Sequence, residues 1–276
     1  MKTFVEARAP AERAADRAGP LNPCLRDWSA RRVWIVGASS GIGESLAREL
    51  AVRGARLALS ARREAPLVEL AQALPGEHVA LPFDVCDADH VARACETLVA
   101  RWGGIDLVVW LAGDYSPMRA DNFDLGEARR LIDINLSSVY NGLAALLPVF
   151  ARQRAGGIAL VASVAGYRGL PKALAYGPGK AGLINLAESL YLDLSPQGIG
   201  VWLIDPGFVA TPLTAQNAFH MPGLISAEEA AQQIIAGFAR GGFEMHFPKR
   251  FTLWMKVLRL LPARWYFRVV RAATGG

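Results

Sequence analysis

From Val33 to Arg53 the chain reads VWIVGASSGIGESLARELAVR, an apolar run, a turn holding Gly37, Gly41 and Gly43, then an amphipathic stretch. A short β-rich run followed at once by a helix-period pattern is a strand–turn–helix unit. No other feature constrains the fold as much. Glycines let the backbone turn tightly and approach a pyrophosphate, and the helix start offers unpaired N–H groups at its positive dipole end. The spacing is G-x3-G-x-G rather than the G-x-G-x-x-G common in dinucleotide folds.

The alternation continues. A second apolar run, RLALS, follows at 56–60, and further strands are expected near 78–82, 105–112, 157–162 and 199–204. Helical stretches near 64–73, 87–102, 126–151 and 173–195 separate them. Nearly continuous apolar strands joined by helix-length crossovers imply an α/β, doubly wound (Rossmann) parallel sheet of about seven strands with helices on both faces. At 276 residues, 52% apolar and 20% charged, the balance is that of a globular chain with a real core. Residues 1–30, rich in Ala, Arg and Pro, are expected to be a flexible or loosely packed leader, with Trp28 tucked against the domain. The sheet domain is expected to run from 31 to 248, and 249–276 to form a basic amphipathic extension.

No stretch reaches the roughly 18 uncharged apolar residues of a spanning helix, and the first thirty residues lack the apolar centre of a secretory signal. The expectation is a cytoplasmic protein. Cys24, Cys86 and Cys95 are too few and irregular for a disulfide framework, and His78, His90, His220 and His246 are scattered, so no metal site is expected. Basic residues gather at the ends while residues 33–244 carry a net negative charge, which argues against a folded nucleic-acid surface.

Tyr176 and Lys180 are four apart, so on a helix they share a face and the ammonium can lie beneath the phenol. An unperturbed tyrosine titrates near ~10, and a neighbouring cation favours its phenolate. With these residues in view, GASSGIG resembles the glycine motif of the short-chain dehydrogenase/reductase family, in its short single-domain branch. Other marks follow in the family's order: Asp84-Val85 after the third strand, Asn135 within INLSSVYNG, Ser163 ending the fifth strand, the Tyr176-x3-Lys180 pair, and Pro206-Gly207 with Thr211 after the sixth. The resemblance covers about residues 31–247.

It implies an NAD(P)-dependent oxidoreductase interconverting CH–OH and C=O groups. Tyr176 would be the acid that protonates a carbonyl oxygen, and the base in reverse. Lys180 would bind the nicotinamide ribose, Ser163 would orient the substrate oxygen, and Asn135 would hold a water in the proton path. The implied cofactor-binding set is Gly37, Ser39, Ser40, Gly41, Ile42, Gly43, Arg62, Arg63, Asp84, Val85, Ala112, Gly113, Tyr176, Lys180, Pro206, Gly207, Val209 and Thr211.

Sites preferring NAD(H) place a carboxylate at the end of the second strand, where it accepts from the ribose hydroxyls. This chain has Ser60-Ala-Arg62-Arg63. A guanidinium suits phosphate oxygens, so NADP(H) is expected in preference to NAD(H), with Arg62 the main contact and Ser40 and Arg63 nearby. One departure from the family is plain: after the fourth strand, where it has Asn-Asn-Ala-Gly, this chain has Trp110-Leu111-Ala112-Gly113. Trp110 and Leu111 are expected to be partly buried.

Between Gly207 and Ile225, where the family places its substrate lid, stand Phe208, Val209, Leu213, Phe219, Met221, Leu224 and Ile225. So many large apolar groups in a loop suggest closure over a hydrophobic substrate, or a loop packing on its own core. Residues 249–271 hold two basic amphipathic stretches broken at Pro262. Their partner is an anionic membrane surface, the substrate opening or another subunit. Together the features read as an NADP(H)-dependent reductase of a hydrophobic carbonyl, lipid-like substrates included. The alternative is a catalytically silent NADP(H)-binding sensor or scaffold on the same fold. The family usually assembles as dimers or tetramers through its long helices, so a homodimer or homotetramer is expected.

Overall fold

The computed structural model describes residues 19–216 and 221–274. Seven strands, β1 (Arg32–Val36), β2 (Arg56–Ser60), β3 (Val79–Ala80), β4 (Leu107–Trp110), β5 (Gly157–Val161), β6 (Gly200–Pro206) and β7 (Glu244–Phe247), form one sheet in the order β3-β2-β1-β4-β5-β6-β7. Every neighbouring pair is parallel. β4, β5 and β6 are buried at every position, which is why their sequences are apolar without alternation. Connections leave in opposite directions from β1 and β4, and a crevice opens at the carboxyl ends of the strands there.

Helices α1 (Gly41–Val52), α2 (Glu64–Ala73), α3 (Ala88–Trp102), α4 (Leu125–Ile132), α5 (Ser138–Gln153), α6 (Tyr176–Leu194) and α7 (Ala227–Arg240) cover the sheet, and α8 (Lys249–Leu260) and α9 (Ala263–Thr274) follow it. One core joins Val91 of α3, Leu143 of α5 and Leu183 of α6 to the sheet; the other joins Leu50 of α1, Leu67 of α2 and Phe238 of α7. A π-helical turn, Asp133–Ser137, links α4 to α5. Among the described residues, the continuous stretch Leu125–Gln153 is the one helix long and apolar enough to cross a membrane. Here its Leu143, Leu146, Val149 and Phe150 are buried in the first core.

Three details differ from the sequence reading. β3 is two residues long, Val79–Ala80, although Leu81 and Phe83 still bond to Leu59 and Ala61; Pro82 sits at this sheet edge, where a missing N–H is tolerated. Residues 1–18 of the expected leader lie outside the described residues, but 19–30 are not loose. The Asn22 side chain pairs with both backbone groups of Val201 at 2.6 and 2.8 Å, and Leu25 and the expected Trp28 are buried, Trp28 edge-on to Phe238. Proline and glycine there prevent regular structure without preventing packing. Finally, Trp110 is wholly rather than partly buried: its indole fills the notch left by Gly142 on α5, where any Cβ would run into the ring. Leu111 is half-buried, and its N–H donates to the Val36 carbonyl at 2.7 Å.

Candidate active site

A crevice of about 720 Å³ follows the carboxyl ends of the strands, and every residue named above as catalytic or cofactor-binding lines it. The β1–α1 turn forms one wall. Gly37 (φ +101°) and Gly41 (φ +58°) adopt left-handed conformations, and a side chain at Gly43 would collide with the Gly37 carbonyl. The N–H groups of Gly37 and Ala38 donate to the Ser60 carbonyl at 2.7 and 3.0 Å, which pins the turn to β2. Ser40 is the N-cap of α1, yet its hydroxyl makes no cap bond, so the helix start is left to meet a ligand. Ser39 and Ile42 complete this wall.

Past the end of β2, Arg62 and Arg63 are exposed at the crevice and form no ion pair among the described residues. Next to them the Asp84 carboxylate accepts from the Cys86 N–H at 2.9 Å, and the Val85 carbonyl accepts from Asn141 at 3.0 Å. Ala112, Gly113, Pro206, Gly207, Val209 and Thr211 line the remaining stretch. A glycine cradle, an uncapped helix start and two unpaired arginines suit the pyrophosphate and phosphates of a dinucleotide.

Tyr176 is the first residue of α6, and Pro178 stands in the same turn, where proline is tolerated because its missing N–H has no helical partner. Ser163 follows β5 and accepts from the Ala165 N–H at 3.1 Å. Lys180 is buried; its Nζ donates to the Val161 carbonyl at 2.9 Å and lies 5.6 Å from the centre of the Tyr176 ring. Burial pushes the Tyr176 phenol up to about 12, against a lowering hydrogen bond from Ser163, and Tyr115 stands edge-on to it at 5.2 Å. Burial likewise lowers Lys180 to about 8, partly opposed by Asp205. Thus the expected closeness is present, and in the protein alone burial outweighs the Ser163 hydrogen bond and holds the phenol less acidic than free tyrosine.

Asn135 sits on the π-helical turn, a feature that often marks functional sites. Its Nδ2 donates to the Leu131 and Asp114 carbonyls at 2.9 and 2.7 Å, and its Oδ1 accepts from the Asp114 N–H at 3.3 Å. The amide is therefore committed mainly to the backbone, and Oδ1 alone retains capacity to accept from a water. Gly113 keeps that space open: a Cβ there would lie 2.9 Å from Asn135 Oδ1 and 3.2 Å from Lys180 Nζ. Arg130 fixes the loop by donating to Asp114 at 2.7 Å and to both oxygens of Glu127.

One cluster escaped the sequence reading. Asp205 is fully buried beside the Lys180 side of the crevice, and neither of its oxygens completes a hydrogen bond of ordinary length. Burial, reinforced by the charge of Glu244, raises its carboxyl far above the usual range. Glu244 is also raised by burial, but Lys256 at 2.6 Å and the Tyr167 hydroxyl at 2.7 Å outweigh this and hold it ionised. These residues are distant in the chain, so no local spacing announces them.

In the segment expected to be a lid, Val209 and Ile225 pack into the second core, while Leu213 lines the crevice. Phe219 lies outside the described residues.

The family described as short chain dehydrogenase matches residues 31–221. An uncharacterized oxidoreductase of Myxococcus xanthus is 36% identical over 241 residues, 86% of this chain and 95% of that protein. The 11-beta-hydroxysteroid dehydrogenase A of Sesamum indicum is 31% identical over 274 residues, 91% of this chain and 78% of that one. Among solved structures, a short-chain dehydrogenase from Streptomyces avermitilis aligns with a TM-score of 0.75 at 24% identity, covering 88% of this chain and 95% of its own.

Proposed function

The chain belongs to the short-chain dehydrogenase family and is an oxidoreductase, and from that premise we propose that it uses NADP(H) in preference to NAD(H) to reduce a carbonyl, or oxidise a secondary alcohol, on a hydrophobic substrate. The observation that carries the reading is the convergence of Tyr176, Ser163 and Lys180 on the crevice that the glycine turn also lines.

When bound, the nicotinamide supplies or accepts the hydride. Tyr176, protonated at neutral pH, donates its phenolic proton to the carbonyl oxygen that gains charge as the carbon is reduced. Ser163 orients that oxygen. Lys180, anchored on the Val161 carbonyl, retains donors for ribose hydroxyls and keeps positive charge beside the phenol, easing loss of its proton. Asn135 Oδ1 and Lys180 Nζ flank Gly113, which supports a water between them as the route by which the phenol is reprotonated.

The cofactor preference is supported by Arg62 and Arg63 and by the lack of a carboxylate between Ser60 and Arg63. The hydrophobic substrate is supported by Leu213 in the crevice and by the sesame relative, which is named for a hydroxysteroid. Exposed Tyr140 on α5 and Leu192 on α6 support assembly into a homodimer or homotetramer through these helices, which sedimentation velocity measures.

The experiment follows reduced-nicotinamide absorbance with a panel of hydrophobic ketones and aldehydes. Turnover with NADPH at a kcat/KM about tenfold or more above that with NADH is expected. Nucleotide binding without turnover of any carbonyl would instead support the silent sensor, and equal use of NADH would remove the cofactor preference.

A further inference from the structure

We propose that the outer face of α8 and α9 docks on an anionic lipid bilayer. A surface helix ordinarily turns its apolar stripe to the core. On α8 much of that order is reversed. Thr252 is buried, and Lys256 is turned inward onto Glu244 at 2.6 Å, while Leu253, Trp254, Val257 and Leu260 face outward, Trp254 at 70% and Leu260 at 83% exposure. On α9 the exposed residues include Trp265, Phe267 and Val269, interleaved with Arg264, Arg268 and Arg271, and the Arg268 guanidinium lies 5.4 Å from the centre of the Trp265 ring.

The pair of helices is built into the body. Arg168 donates to the Leu261 carbonyl at 2.5 Å and stacks 4.0 Å from the centre of the Tyr266 ring, and the Tyr266 hydroxyl donates to the Gly169 carbonyl at 2.6 Å. Its apolar face is therefore held in place toward solvent.

Charge selects the occupant. From Met245 onward the chain carries no acidic residue, and with Lys256 turned inward six basic ones, Lys249, Arg250, Arg259, Arg264, Arg268 and Arg271, are exposed. A second copy laid on this face would oppose like charges, whereas anionic headgroups complement them. Tryptophans and arginines around an apolar stripe suit shallow insertion, with the guanidiniums left among the headgroups. On the inner side of α8, Phe251 meets Phe208 at 5.3 Å, so docking places the segment after Gly207 one helix diameter, ~10 Å, from the lipid surface. Docking goes beyond the reaction proposed above and does not require it.

The test is co-sedimentation of the full-length protein with phosphatidylcholine vesicles, with and without phosphatidylglycerol. Binding is expected to the phosphatidylglycerol vesicles and to weaken with salt. The Trp254→Ser/Leu260→Ser variant is expected to lose about tenfold in partitioning, and Arg264→Gln/Arg268→Gln/Arg271→Gln about tenfold or more. NADPH titration of each variant, unchanged from the parent, shows that the crevice is intact. Absence of binding, equal binding to neutral vesicles, or variants that bind like the parent would overturn the proposal. So would dissociation of an oligomer by Trp254→Ser/Leu260→Ser, which would assign the face to a second copy. Vesicle binding without carbonyl turnover would leave docking standing and overturn only the proposed reaction.

Discussion

The Lys180 ammonium lies 5.6 Å from the centre of the Tyr176 ring and donates to the Val161 carbonyl, and loss of solvent around buried Lys180 and half-buried Tyr176 is the largest influence on the protonation of each. Tyr176 at about 12 stays protonated across the working range, while Lys180 at about 8 loses its charge on the alkaline side. Since kcat/KM reports groups of the free enzyme, kcat/KM for NADPH in carbonyl reduction should be flat below about pH 7.5 and fall along one ionisation near 8. A profile that stays level past about pH 10 would place Lys180 at its ordinary value.

Arg62 is the proposed contact for a 2′-phosphate. Arg62→Glu should lower kcat/KM with NADPH by about tenfold to a hundredfold, the range of one or two lost charge-assisted hydrogen bonds. NADH should be used as well as before or better, because a carboxylate there can accept from ribose hydroxyls. An equal loss with both cofactors would mean that Arg62 supports the turn rather than the phosphate.

The buried Asp205 gives a stability prediction whose sign follows from its raised pKa. Its contribution is fully present below the unfolded value of 3.8 and is lost as pH climbs from there toward the folded value. Asp205→Asn has no proton to hold, so it should match the parent at about pH 4 and exceed it increasingly toward neutrality. A gain of about 3 °C in Tm near neutral pH corresponds to roughly 1 kcal/mol for a chain of this size. A Tm deficit that grows with pH would show that Asp205 is ionised in the fold.

Trp110 and Gly142 form a matched pair across β4 and α5. Gly142→Ala should cost about 1–3 kcal/mol in urea denaturation, the usual penalty of overpacking a core. Adding Trp110→Leu should recover part of it, a coupling that a double-mutant cycle measures. Additive losses would show that the indole and the glycine do not share one space.

The parts of the site legible in the sequence are those whose chemistry demands a fixed local spacing. The turn at Gly37, Gly41 and Gly43 and the Tyr176–Lys180 interval belong here, because one turn or one helix face carries each. Arg62 and Arg63 were legible from their place after an apolar run. What stayed hidden is assembled across the sheet: Asp205 meets Glu244 and Lys256 only because β6 pairs with β7 and α8 folds back on them. The π-helical turn at Asn135 shifts the helical phase without any glycine or proline to mark it. The burial that raises Tyr176 was not legible either, since spacing shows a neighbouring charge but not the degree of enclosure. The basic amphipathic pattern of α8 left an outward apolar side as one of three options, and the inward turn of Thr252 and Lys256, which comes from packing, is what selects it.

The most direct measurement is single-turnover reduction of a carbonyl substrate by Tyr176→Phe, alongside nucleotide titration of the same variant. NADPH should bind within about twofold of the parent, because the hydroxyl contributes to proton transfer rather than to the phosphate cradle, while the rate should fall roughly a thousandfold. Near-normal turnover by Tyr176→Phe would contradict the assignment of the proton donor.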